Sequence, residues 1–300
     1  MTRPPLLAIV ALAGTCTLPA VAAPQSSEVG RLLEHIGDRV TRYYHRAQSL
    51  VCTETSTMQP VNRDWSWEGL SRTVESELRV EAEASDGQPL PEARLIRDIR
   101  RVNGREPRDR DRTDRSGCTD PDPFSAEPLA FLLRSHSEEY RFTAVHETRE
   151  RNRAALVLDF ESADRTNKAD LIEDPRGHDD CFDWRGPIAV RGRVWVDALS
   201  YEVLRVDRYN AGPVDLRVPS PLQRKHGLSP YVTLDREDRS MRFKEIAFRD
   251  PDEIILLPES IESLVVVRNG LQSMRSTTTF RDYHRFLTVS RVTAKRDGGS

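Results

Sequence analysis

Between residues 74 and 84 apolar and charged side chains alternate. Val74, Leu78, Val80, Ala82 and Ala84 fall on one parity, and Glu75, Glu77, Arg79, Glu81 and Glu83 on the other. Successive side chains of an extended chain point to opposite faces, so this segment reads as a strand with one face wet and one buried. Similar patterns predict strands over 93–102, 140–147, 154–161, 188–197, 201–209, 231–250 and 254–286. Two turns have a mechanism. Asn269 and Gly270, after Arg268, tolerate the positive backbone angles of a tight hairpin, and Asp197–Ser200 separates Val194-Trp195-Val196 from Val203-Leu204-Arg205. Successive strands therefore pair antiparallel, and long strands with one polar face curl into an open barrel.

Ahead of the strands, Ser26 and Ser27 can cap a helix. Val29, Leu32, Leu33, Ile36, Val40 and Tyr43 recur there at spacings of three and four. Such a helix must lay its apolar stripe on something, and the concave side of the sheet is available. A second, short helix fits 125–134. The fold class expected is mainly β (α+β): an unclosed antiparallel β half-barrel, with the N-terminal helix against its concave face and a short second helix. Long stretches rich in Pro, Asp and Arg, near 104–123, 162–187 and 212–230, read as irregular loops, either lids or mobile excursions.

The N-terminus has the pattern of a cleaved signal peptide over 1–23. Arg3 supplies the positive charge, Leu6 to Leu18 the apolar stretch, and Val21-Ala22-Ala23 the small-residue end before Pro24. That apolar stretch is about thirteen residues, against the roughly 20 a membrane helix needs. Cys16 raises a lipoprotein signal as an alternative, although Ala13 stands where a large aliphatic residue is expected. No later segment reaches membrane-spanning length, so one exported domain over 24–300, periplasmic or secreted, is expected. The chain has 45 basic and 48 acidic side chains, a net charge of −3, or −4 without Arg3. Its arginines alternate with acids, as in Arg108-Asp109-Arg110-Asp111-Arg112, which gives no reason to expect a nucleic-acid partner.

Beyond the signal lie Cys52, Cys118 and Cys181, in a compartment that permits disulfides. Cys52 begins an apolar strand, where a small buried thiol packs well. Cys118 and Cys181 lie in polar loops and are the expected pair. No CxxC spacing suggests zinc.

Two hairpins carry a resemblance to a known family. Gly192-Arg193-Val194-Trp195-Val196-Asp197, followed by Val203-Leu204-Arg205-Val206, resembles a hairpin of proteins related to the bacterial outer-membrane lipoprotein carriers, the LolA/LolB-like lipoprotein-localisation factors. Leu257-Pro258, Asn269-Gly270 and the run from Phe280 to Phe286 resemble the C-terminal end of secreted proteins of that fold. The resemblance implies an unclosed antiparallel barrel with an apolar cavity that, in the carriers, accepts acyl chains. The chain departs from the carriers in its length, its long charged loops and its extra cysteines.

Chemistry-bearing clusters are few. His178, Asp179, Asp180, Cys181, Asp183 and Asp174 gather ligand types suited to a hard cation such as calcium, without EF-hand spacing or a glycine hinge. His136 with Glu138 and Glu139, and His146 with Glu147, are acid–base types, but adjacent strand residues face opposite ways. No G-x-S-x-G elbow occurs. Trp65 and Trp67 have the spacing of a sugar-stacking platform, but core packing or a turn anchor is the favoured reading of that spacing. The residues assign no catalytic, metal or cofactor site. They point to a non-enzymatic module that binds a lipid, acyl chain or lipidated partner. An envelope interaction scaffold without ligand is the alternative, and a hydrolase has least in its favour.

Overall fold

The computed structural model describes residues 27–62, 64–85, 88–108, 128–175, 177–178 and 181–285. The helix α1 spans Ser27–Arg46. After it come β1 (Leu50–Val61), β2 (Arg72–Ser85), β3 (Gln88–Val102), β4 (Tyr140–Glu150) and β5 (Arg153–Ser162). The chain continues through β6 (Asp170–Glu173), β7 (Phe182–Arg185), β8 (Val190–Asp197), β9 (Val203–Asn210), β10 (Val214–Arg217) and the helix α2 (Ser220–His226). It ends in β11 (Tyr231–Arg249), β12 (Asp252–Arg268) and β13 (Ser273–Arg285).

The main sheet runs β3–β2–β1–β13–β12–β11–β9–β8–β5–β4, with every neighbouring pair antiparallel. Its two ends, β3 and β4, do not pair with each other among the described residues, so the sheet is open, as the alternation predicts. Pairing of β1 with β13 joins the two ends of the sequence. Two bulges bend the β11–β12 pair where the sheet must curl, one at Asp235 on β11, between Leu234 and Arg236, and one at Glu259 on β12, across from Arg242 and Phe243.

Helix α1 lies against this sheet, touching β12 and both edge strands β3 and β4. Ile36 and Val40 are fully buried, and Val29, Leu32 and Tyr44 nearly so. They pack with Leu158, Val194, Val196, Met241, Phe243 and others in the main core. The Asn269-Gly270 turn has φ of +70° and +108°, as its residues demand. At the β8–β9 turn the Asp197 carboxylate accepts the N–H groups of Leu199 and Ser200 at 3.0 and 2.8 Å. Gly192 on β8 is required for packing: a Cβ there would come within 2.4 Å of the Phe160 ring, which lies over it.

Two expectations need correction. The short helix placed at 125–134 is, in its described part, a pair of 3-10 turns, Ala130–Leu132 and Arg134–His136. Leu133 between them is extended (φ −77°, ψ 151°), which breaks any continuous helix. The short second α-helix is instead α2. The stretches 162–187 and 212–230, read as irregular, hold β6, β7, β10 and α2. Strands of four residues are too short to show a period, and they are ordered by distant partners. β10 adds to β11, and Arg217 makes a bidentate pair with Asp170 at 2.8 and 2.7 Å, where β10 meets β6. Together they bury Leu171, Leu216, Val218, Val232 and Leu234 in a second cluster at one end of the β11–β12 hairpin. Of the 104–123 stretch only 104–108 falls among the described residues.

Candidate functional site: a cavity on the concave face

The 3-10 turns do not complete the core. They roof part of the concave face, tied to α1 by the Leu129 N–H donating to the Tyr44 hydroxyl at 2.8 Å. Leu129 and Leu132 are buried in the core. Phe131 packs instead tilted against Phe160, with ring centroids 4.7 Å apart, and meets Tyr140 edge-on at 5.7 Å. Beneath this roof remains a cavity of about 310 Å³.

The cavity is lined by apolar side chains, Phe131, Phe160, Val206, Met241, Ile261 and Phe280, and by polar ones, Glu54, Ser263, Ser276, Thr278, Arg208 and Arg239. The registers bring them together, since cross-strand partners share a face, and they interleave the two kinds: Glu54 is opposite Phe280 and Ile261 opposite Thr278. Val206 on β9 is opposite Met241 on β11, and Met241 is opposite Ile261 on β12. One row along, Arg208 is opposite Arg239, Arg239 opposite Ser263, and Ser263 opposite Ser276 on β13. Ser56 on β1 is opposite Thr278, and their hydroxyls are 2.7 Å apart.

Glu54, 1 % exposed, is the buried charge of the wall. Its carboxylate accepts from Nε and from the terminal guanidinium nitrogen of Arg97 on β3, the latter at 2.8 Å. A buried carboxylate held in this bidentate way is neutralised and oriented, whereas removal of one partner alone would strand a charge. At the mouth, His136 Nδ1 and Glu139 Oε1 are 2.8 Å apart. Burial pushes the Tyr140 hydroxyl above its usual range, with the Arg208 charge pulling it down. Behind Glu54, burial and the Glu54 charge push the free Cys52 thiol up to about 12. Burial also raises Tyr283, whose hydroxyl donates to the Pro258 carbonyl at 2.7 Å.

The solved structures similar to the chain include two bacterial proteins. One is a LolA superfamily protein from Nitrosomonas europaea, with 10 % identity, a TM-score of 0.33, and coverage of 85 % of this chain and 94 % of the other. The second is an outer membrane lipoprotein-sorting protein domain from Vibrio parahaemolyticus, with 12 % identity, a TM-score of 0.35 and the same coverage. These are proteins of the kind the hairpin motifs resemble. No protein-family model and no curated protein matches the chain. At such TM-scores the functional reading rests on the cavity of this chain itself.

The candidates from sequence fare unevenly. His136 and Glu139 do meet, at the cavity mouth, while His146 and Glu147 are both exposed on β4. Asp174 and His178 form a buried contact, but Asp179 and Asp180 lie outside the described residues, which contain no group of three metal-ligating side chains. Trp65 and Trp67 are not part of the core. They are 43 % and 73 % exposed on the loop after β1, where the Arg236 guanidinium sits 4.8 Å from the Trp65 ring. Cys52 is free and buried, Cys181 is buried, and Cys118 lies outside the described residues. The polar wall was missed. Its signal was present in Cys52-Thr53-Glu54-Thr55-Ser56 and in Val74-Glu75-Ser76-Glu77-Leu78, where Glu54, Ser56 and Ser76 occupy the inward parity. All three are buried to 1 % or less.

Proposed function

We propose that this protein is an exported, non-catalytic binding module that holds a single-chain amphiphile between the concave face of its sheet and the roof formed by residues 128–140. The observation that carries this reading is the cavity itself, lined by aromatic and aliphatic side chains together with hydroxyl and charged groups. Its volume is at the lower end of the ~300–1,000 Å³ usual for small-molecule sites, which suits one acyl chain better than several. The apolar stretch and small-residue end over 1–23 support export to the periplasm or beyond. Among the described residues no helix is long and apolar enough to cross a membrane.

The test is native mass spectrometry of protein purified from the periplasm of an expressing host, before and after organic extraction. The expected result is a releasable adduct with the mass of a single-chain amphiphile. A clean polypeptide mass, together with failure of a neutral fluorescent probe to bind, overturns the reading. In that case the alternative is a ligand-free envelope scaffold docking a protein partner. In its favour are the exposed Trp67 and the Leu70 side chain, the latter 93 % exposed.

We further propose that Cys118 pairs with Cys181, supported by the burial of Cys52 as a free thiol. Non-reducing peptide mapping should recover a Cys118–Cys181 peptide, and a cross-link involving Cys52 would refute the pairing.

A further inference from the structure

A second, smaller cavity adjoins the first, and strand β11 lines both. Met241 faces the main cavity. Phe243, two residues further and on the same face of the strand, lines a cavity of about 60 Å³ together with Tyr43, Leu129, Val203 and Leu256. The arginines Arg39, Arg42 and Arg46 of α1 also border it. The roof is divided in the same way, with Pro128 and Ala130 on the main cavity and Leu129 on the second. Two residues along a strand span about 6.8 Å, so one layer of side chains stands between the two spaces.

That layer is aromatic. The Tyr43 ring meets Phe243 edge-on, with centroids 6.1 Å apart, and lies tilted against Tyr44 at 5.3 Å. The three rings differ in what they hold. Tyr44 accepts the Leu129 N–H and ties the roof to α1. Tyr43 stands on the helix and packs against the main core. Phe243 projects from the sheet, 5 % exposed, and has no polar atom, so it can be shortened without stranding a hydrogen-bonding partner. A hydrocarbon chain that passes Met241 along β11 runs next into the Phe243 ring.

We infer that Phe243, braced by Tyr43, is the stop that sets the length of chain the main cavity accepts. This rests on the reading of that cavity as an amphiphile site. It adds the residue that selects among chain lengths, and it makes the second cavity the space a longer chain enters once the ring is reduced.

The experiment displaces the neutral fluorescent probe N-phenyl-1-naphthylamine from the mature protein with two series, the n-alkanols and the n-alkanoates from octyl to hexadecyl, each below its micellar concentration. In the wild-type protein every added methylene should tighten binding about four-fold for as long as it is buried, up to a break beyond which longer chains gain nothing. Phe243→Ala should move that break to longer chains, by up to roughly five methylenes, the length of the two-residue step. Chains shorter than the break should bind as before. Phe243→Leu should move the break part of the way, and it keeps the test open if the alanine variant fails to fold. A break at the wild-type length in the folded variants, or a wild-type series that tightens without a break up to hexadecyl, overturns the stop while the amphiphile cavity stands. Absence of probe binding, with no chain of either series retained in native mass spectrometry, overturns both.

Discussion

Asp197 illustrates how one side chain sets a turn. Its carboxylate takes two backbone N–H groups of the β8–β9 turn and the Nε of Arg153 at 2.9 Å. Burial alone would push the carboxyl up. The Ser200 and Leu199 N–H groups and Arg153 outweigh it and hold the group below its ordinary range. A carboxyl depressed in the folded state stabilises the protein above its unfolded value of about 3.9, and that stability is lost as pH falls through the folded value. Asp197→Asn should therefore flatten the acid limb of the stability profile below about pH 4. Asp197→Ala should cost roughly 1–3 kcal/mol at neutral pH in urea unfolding. An unchanged acid limb in the Asn variant would contradict the assignment.

At the scale of elements, α1 fills the part of the concave face that the cavity leaves. Its inward stripe, Val29, Leu32, Ile36 and Val40, fits the curled sheet, with Ile36 fully buried. Ile36→Ala deletes buried methylenes from a site hemmed in by sheet and roof, and should cost about 2–5 kcal/mol by chemical denaturation. A loss below about 1 kcal/mol would mean that the helix is not held against the sheet. The periodicity of α1 and of the long strands was legible because each repeats over many residues. The 3-10 roof was not, because Leu129, Phe131 and Leu132 are divided between core and cavity and follow no single period.

For the whole molecule, the second cluster around Leu216 and Leu234 shares β11 and β12 with the main sheet. We propose that residues 24–300 unfold as one domain. Calorimetric and van't Hoff enthalpies should agree within error, and a ratio well above one would mark the β6–β7–β10–α2 cluster as a separate unit. Ion pairs such as Arg217 with Asp170 stitch that cluster to itself at the surface, where such pairs contribute little. Cooperativity therefore rests on the shared strands.

Alternation along Val74–Val80, the α1 stripe and the Asn269-Gly270 turn were sufficient to specify an open antiparallel sheet with a helix on its concave side, because period and turn chemistry are local properties. The cavity was not local. Glu54 with its partner Arg97, and Arg208, Arg239, Ser263 and Ser276, come from six different strands, and each alone is an ordinary polar residue. Only cross-strand register brings Arg208 opposite Arg239 and Arg97 onto Glu54. Register depends on how distant strands pair, so the polar lining of the cavity belongs to the tertiary structure.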